Sequence, residues 1–287
     1  MKNLILVFIS ITFFSSSKPT ISTYNLKTAI EKNLVACKFN GNFESPHYYQ
    51  ALEINITNLT NKEIKIRIPN GQRFTSDSTD IQDVIITQEE LIALSSNKNK
   101  IMPLFSMCIQ EYNSAPNEST TYRLGDLATG KLFKITNEIE KTKSFNTIGQ
   151  YSVWAITDDY PLDKIDGFNE KEAIQYQKYM AILLNVPVPS KQTESYKTYY
   201  ETTKTLTRSV VGKFKYNIHN QSNITIGLFN EQDIIVRELY NNPNQEAGEH
   251  LFNYAFDATT YQDPRYYIRL IINGNIKVSL KMEPRKS

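Results

Sequence analysis

Leu52, Ile54 and Ile56 alternate with Glu53, Asn55 and Thr57, and Ile64, Ile66 and Ile68 alternate with Glu63, Lys65 and Arg67. Period-two alternation puts one face of a strand in a core and the other in water. The polar run Asn58–Lys62 between the two arms predicts a hairpin, and Pro69-Asn70-Gly71 ends the second arm with turn residues. Asp83–Thr87, with Val84, Ile85 and Ile86, and Ile101–Gln110 predict further strands, while residues 24–33 fit a short helix or an entry strand.

The period changes after Tyr122. Leu127, Leu132, Ile135 and Ile139 recur at helical spacing, with Asp126 near the start and Lys141 near the end to suit the helix dipole. Asn146–Ile156 is a second compact apolar segment around Trp154. Asn169 with Glu172 has the spacing of a capping box ahead of the stripe Ala173, Tyr176, Met180 and Leu183, which Pro187 and Pro189 stop. The polar run Ser190–Thr207 marks the domain boundary. Beyond Lys213, short strands follow at Ile224–Leu228, Ile234–Val236, Leu251–Phe256, Tyr266–Ile272 and Ile276–Leu280, and Asn273-Gly274 predicts a hairpin.

The expected fold is mainly β with a helical insertion: two Ig-like β-sandwich domains joined by a helical connector. The boundaries are a signal peptide at 1–17, an N-terminal sandwich with a helical segment at 24–160, a connector at 161–206 and a C-terminal sandwich at 207–287. Lys2, the apolar run Leu4–Phe14 and Ser15-Ser16-Ser17 carry the signal-peptide reading. That run rises only about 16 Å as a helix, too short to span a bilayer. The expectation is therefore export to the periplasm or the cell surface, with no membrane span. Export places Cys37 and Cys108 in oxidising surroundings, where they form one disulfide or stay buried as thiols.

Charge and composition narrow the classes. Lys and Arg number 32 against 30 Asp and Glu, a net charge of +2, which lacks the footprint of a nucleic-acid binder. Ten glycines among 287 residues leave little for phosphate-cradling loops. His47, His219 and His250 are isolated and show no metal-ligand spacing, and no Gly-x-Ser-x-Gly elbow is present. Asp158-Asp159 before Tyr160-Pro161 reads as a helix terminator. The expectation is no enzyme, no metal and no cofactor. The pairs Tyr48-Tyr49, Tyr199-Tyr200 and Tyr266-Tyr267 suit half-buried cladding or a sugar-stacking face.

Two stretches resemble known families. Ile224-Thr-Ile-Gly-Leu-Phe-Asn-Glu-Gln-Asp-Ile-Ile-Val-Arg-Glu-Leu, Gly248-Glu-His-Leu-Phe-Asn-Tyr-Ala-Phe-Asp257 and Tyr267-Ile-Arg-Leu-Ile-Ile-Asn-Gly-Asn-Ile-Lys-Val resemble the FlgD-like and type A sorting-domain Ig modules of exported Bacteroidota proteins. That resemblance implies an Ig sandwich that is either a type IX secretion tag or a structural module. Ser106-Met107-Cys108-Ile109-Gln110, with Ile148-Gly149-Gln150-Tyr151-Ser152-Val153-Trp154-Ala155-Ile156, resembles the paired Cys and Gln-x-x-[Val/Ile]-Trp motifs of bacterial surface thioester domains. It implies an internal thioester between Cys108 and Gln150, opened by a nucleophile on a partner surface, with Val153 and Trp154 excluding water. Beside it stand a Cys37–Cys108 disulfide and two unlinked thiols.

The functional expectation is an exported non-enzymatic protein working through protein–protein contacts, as an accessory or structural subunit of an envelope assembly for secretion or surface display. Its partners are other envelope or surface proteins. The alternatives are a surface adhesin using the Cys108–Gln150 thioester and a carbohydrate-binding module.

Overall fold

The structure, a computed structural model, describes residues 21–42, 48–165, 170–190, 209–231, 235–257, 265–273 and 275–282. The signal-peptide segment, His47, the Asn169 cap, Tyr199-Tyr200 and nearly all of the polar run before residue 207 lie outside the described residues. The chain is mainly β with a small helical part. Among the described residues no helix is long and apolar enough to cross a membrane.

The N-terminal half opens with β1 (Ser22–Asn25) and α1 (Leu26–Glu31), so residues 24–33 supply both of the expected forms. Three sheets follow. One contains β2 (Val35–Gly41), β3 (Leu52–Asn58) and β8 (Asn99–Leu104) in the order β2-β3-β8. A second joins β1 to β4 (Ile64–Ile68) and β7 (Glu90–Leu94). The third, in the order β10-β5-β6-β9, takes β5 (Gln72–Ser76), β6 (Val84–Ile86), β9 (Ser106–Cys108) and β10 (Tyr122–Leu127).

The two arms of the expected hairpin form as strands but do not pair. β3 lies between β2 and β8, while β4 runs parallel to β1 and antiparallel to β7. Asn58 explains the crossing. Its buried carboxamide donates to the carbonyls of Lys62 (2.8 Å), Leu94 (3.1 Å) and Ser95 (3.0 Å), and its oxygen accepts the Thr60 N–H (2.9 Å). These bonds tie the connector to the end of β7 and carry the chain from one sheet to another. The apolar stretch after Ile101 likewise splits at Phe105 into β8 and β9, with Pro103 on an edge strand that tolerates its missing donor.

Helix α2 (Gly130–Thr142) begins three residues later than the spacing predicts, because Leu127 ends β10. Its inward face is Ile135, Thr136 and Ile139. Helix α3 (Thr147–Thr157) is buried from Thr147 to Ala155, apolar nearly all round as a core helix is. Helix α4 (Glu170–Leu184) is not a spacer. Ala173, Tyr176 and Met180 enter the same core as the N-terminal sheets, and the Tyr176 hydroxyl meets Thr142 Oγ1 at 2.7 Å. An apolar stripe at helical spacing needs a face to cover it, and α2 and α3 provide one.

The C-terminal strands are β11 (Ser209–Ile218), β12 (Ser222–Asn230), β13 (Ile235–Gln245), β14 (Gly248–Asp257), β15 (Tyr266–Ile272) and β16 (Asn275–Met282). The pair β11-β14 packs on the sheet β13-β12-β15-β16 through Ile224, Ile226, Leu228, Ile268 and Leu270 on one side and Phe214, Tyr216, Phe252 and Tyr254 on the other. The hairpin predicted at Asn273 is β15–β16, and Asn273 sits at φ 50°, the left-handed region that asparagine tolerates.

The opposite face of this four-stranded sheet is covered as well. Glu238, Gly227, Arg269 and Ser279 lie in one cross-strand row, and Phe229, Ile235 and Ile271 belong to the N-terminal core. Burying each of those three apolar side chains contributes about 1.5–3 kcal/mol. Hence β12 reads Ile-Thr-Ile-Gly-Leu-Phe, with apolar residues on both faces, as a doubly covered strand requires.

Candidate functional site

Cys108 is the last residue of β9, an edge strand, and Gln150 is in the first turn of α3. The turn is set by Asn146, whose side-chain oxygen accepts the N–H groups of Ile148 (3.0 Å) and Gly149 (3.2 Å), an N-cap in the ordinary sense. Gly149 lets the helix press close, since a Cβ there would overlap the Ser144 carbonyl and stand 2.8 Å from Met107 Cε.

The structure brings Cys108 and Gln150 together. The Ile109 N–H is spent on the Asp83 carbonyl of the β6 side (2.9 Å), so the polar backbone groups of Cys108 face outward from the sheet. Gln150 Oε1 accepts the Cys108 N–H at 3.0 Å, and Gln150 Nε2 donates to the Cys108 carbonyl at 2.8 Å. The carboxamide thus takes the place of a neighbouring strand. Both residues are fully buried. Without the Gln150 carboxamide, two buried polar groups of the edge would be left unsatisfied.

The thiol itself points elsewhere. Cys108 lies opposite Val84, Val84 opposite Phe74, and Phe74 opposite Leu124, so these side chains share one face. The Phe74 ring is 4.8 Å from Phe39 of β2, which identifies that face as the interior between two sheets. Met107 is on the other face, where its methyl meets Gly149 of α3. Period-two alternation therefore turns Cys108 Sγ into the sandwich while Gln150 closes the strand edge. Tyr122 is on the thiol's face. Burial, with Cys108 and Asp83 beside it, pushes its phenol far above the ordinary range, and its hydroxyl donates to the Gln82 carbonyl at 2.9 Å.

Of the states left open for Cys37 and Cys108, one disulfide or unlinked thiols, the structure has the second. Both residues are thiols, and they lie on different sheets. Cys37 is half-buried opposite Ile56, and burial pushes its thiol from 9.0 up to about 12.

Val153 and Trp154 are buried, and the Trp154 ring joins Tyr151 (5.9 Å) and Tyr160 (6.2 Å) in an aromatic cluster at the far end of α3. Asp158 ends that helix, donating its N–H to the Trp154 carbonyl (2.8 Å), and Asp159 follows at φ 57°. His250 stacks on Tyr216 at 5.2 Å, with its ring nitrogens against Gln245 (3.2 Å) and the Glu246 carbonyl (2.9 Å). Among the described residues no group of three His, Cys, Asp or Glu side chains is placed to hold a metal.

Two acidic residues that the sequence did not single out as site groups surround the start of α3. Glu238 of β13 accepts hydrogen bonds from the Thr147 N–H (3.4 Å) and from Asn241 Nδ2 (3.4 Å). Glu172 of α4 accepts from Ser144 Oγ (2.5 Å) and Asn146 Nδ2 (3.4 Å). Glu238 carries one faint signal, a charge inside an apolar strand; Glu172 showed only as a capping partner for Asn169. No protein-family model, curated protein or solved structure matches this chain.

Proposed function

We propose that this is an exported protein that works through contacts with other envelope or surface proteins, as a structural or accessory subunit and not as an enzyme. The observation behind this reading is the use to which Gln150 is put. Its carboxamide completes the edge of β9 while the Cys108 thiol faces the sandwich interior, so the residues with the clearest chemical potential act as a latch between helix and sheet. The outer surfaces are then what the fold presents to partners. Cross-linking in intact cells followed by affinity purification tests this: partner proteins should co-purify in fixed ratio. Recovery of the protein alone under every condition would remove the reading.

A second reading is favoured by the contact itself. Cys108 and Gln150, 42 positions apart, are joined through the Gln150 carboxamide and the Cys108 backbone, and a thioester would require the Cys108 thiol to turn from the sandwich interior to that carboxamide. In that chemistry Cys108 Sγ attacks Gln150 Cδ, the C–S bond forms, the C–N bond breaks, and the nitrogen leaves as ammonia with the thiol proton. A partner amine would later form a C–N bond at the same carbon and release the thiol. Intact mass of the unreduced protein separates the readings. Ammonia loss removes about 17 Da, a disulfide about 2 Da, and the latch nothing.

A further inference from the structure

The sheets that carry β2 and β10 are joined along these two edges by a single bridge among the described residues. Asn40 lies opposite Thr121, the Gly41 N–H donates to the Thr120 carbonyl (3.0 Å), and Asn40 Nδ2 reaches the same carbonyl (3.5 Å). Had the pairing run on, Phe39 would face Tyr122 and Cys37 would face Leu124. It stops instead: β2 ladders with β3 alone and β10 with β5 alone. The strands separate around a groove of about 700 Å³, lined by Cys37, Phe39, Tyr122 and Leu124 with Ile30 of α1 beside them. We propose that this groove takes an extended segment of a partner protein, added as a strand between β2 and β10, with apolar side chains facing in and acidic ones facing out. The inference rests on the protein-contact reading and adds to it a site and the chemistry of the partner.

The backbone sets the kind of ligand. In an antiparallel strand, alternate residues turn their N–H and C=O to the same side. Gly41 gives its N–H to Thr120, so the polar groups of Phe39 and Cys37 also turn away from β3. On β10 the Thr121 carbonyl accepts the Asp77 N–H beyond the end of β5 (3.0 Å), so those of Tyr122 and Leu124 turn away from β5. Both edges therefore offer donors and acceptors to the groove at a two-residue repeat, which another extended backbone matches on both sides at once. Neither strand contains a proline that would blunt its edge.

Side-chain alternation sets the rest. Cys37, Phe39, Tyr122 and Leu124 share the face of Phe74, whose ring meets Phe39 at 4.8 Å, so an inserted strand would bury its inward side chains in the sandwich. Lys38 and Arg123 alternate to the outer face, both are exposed, and no acid lines the groove. Arg123 is paired with Asp77 (2.6 Å), whereas Lys38 has no ion pair among the described residues. An acidic side chain on the outer face of the added strand would supply the opposite charge.

Calorimetric titration of the full chain with the peptide acetyl-Glu-Val-Asp-Val-Glu-Val-amide tests the proposal. One control carries N-methylated valines, which removes the hydrogen bonds to one edge, and a second carries Lys in place of each acid. Saturable binding of the acidic peptide is expected, with slowed hydrogen exchange at the Cys37 and Leu124 amides. The N-methylated peptide should bind at least about ten-fold more weakly. Lys38→Glu, at an exposed position, should keep the melting temperature, weaken the acidic peptide about three-fold and strengthen the Lys peptide. No saturable binding at millimolar acidic peptide, equal binding of the N-methylated one, or no response of either charged peptide to Lys38→Glu would overturn the proposal. Partners that still co-purify when the peptide is silent would put the failure in the groove and leave the protein-contact reading standing.

Discussion

Glu238 of β13 accepts the backbone N–H of Thr147 at 3.4 Å, so a carboxylate from the C-terminal sheet sits at the positive end of α3, the helix that carries Gln150. Substituting Ala for Glu238 removes this bond and leaves a buried N–H without its partner. The expected cost is about 1–3 kcal/mol, read as a lower denaturant midpoint. Glu238→Gln keeps an acceptor and should recover part of it. A midpoint unchanged in the Ala variant would mean that the contact contributes nothing.

Gln150→Ala should destabilise more than Cys108→Ala. The first leaves both outward groups of the β9 edge unsatisfied, about 2–4 kcal/mol in all. The second keeps those backbone bonds and deletes one small side chain, about 1 kcal/mol. Equal losses in paired unfolding curves would show that the side chains, not carboxamide and backbone, carry the interaction.

Gly149→Ala should cost about 1–3 kcal/mol or more, since the new methyl meets the Ser144 carbonyl, which is backbone, and the Met107 side chain. Met107→Ala in the same chain would relieve only the second contact and add its own cavity cost of about 2–5 kcal/mol, so the double variant should melt below the Gly149→Ala single variant.

Alkaline pH should unfold the protein. The Cys37 thiol and the Tyr176 and Tyr216 phenols are each pushed up to about 12 by burial. Their neutral forms are favoured in the folded chain. Stability from these groups is therefore complete below their unfolded values of 9.0 for the thiol and 10.0 for the phenols, and falls as pH rises towards 12. Denaturation midpoints measured from pH 8 to about pH 11 should decline. Iodoacetamide at pH 8 should label Cys37 far more slowly in the native protein than in the denatured one.

Much of this architecture is legible in local pattern. Alternation located β3 and β4, and helical spacing located α2 and α4. Pairing was not legible, because what keeps β3 and β4 apart is the carboxamide of Asn58 reaching carbonyls 36 and 37 positions away. The resemblance paired Cys108 with Gln150 through the thiol, whereas the contact found runs through the Cys108 backbone. The direction of the thiol was not legible, since it depends on the register of β9 against β6. Glu238 was hidden for a related reason: a lone acid in a strand reads as solvent-facing until something is known to cover that face.

The double coverage of the β13-β12-β15-β16 sheet makes the C-terminal module something other than a cassette. Cut away near residue 207, it would carry Phe229, Ile235 and Ile271 into water as a sticky flat surface, and the remaining half would lose the cover over the start of α3. The two parts are fitted to each other as a key is to its lock, so they are expected to be inherited together, and a fusion that borrows the tail alone would borrow its tendency to aggregate.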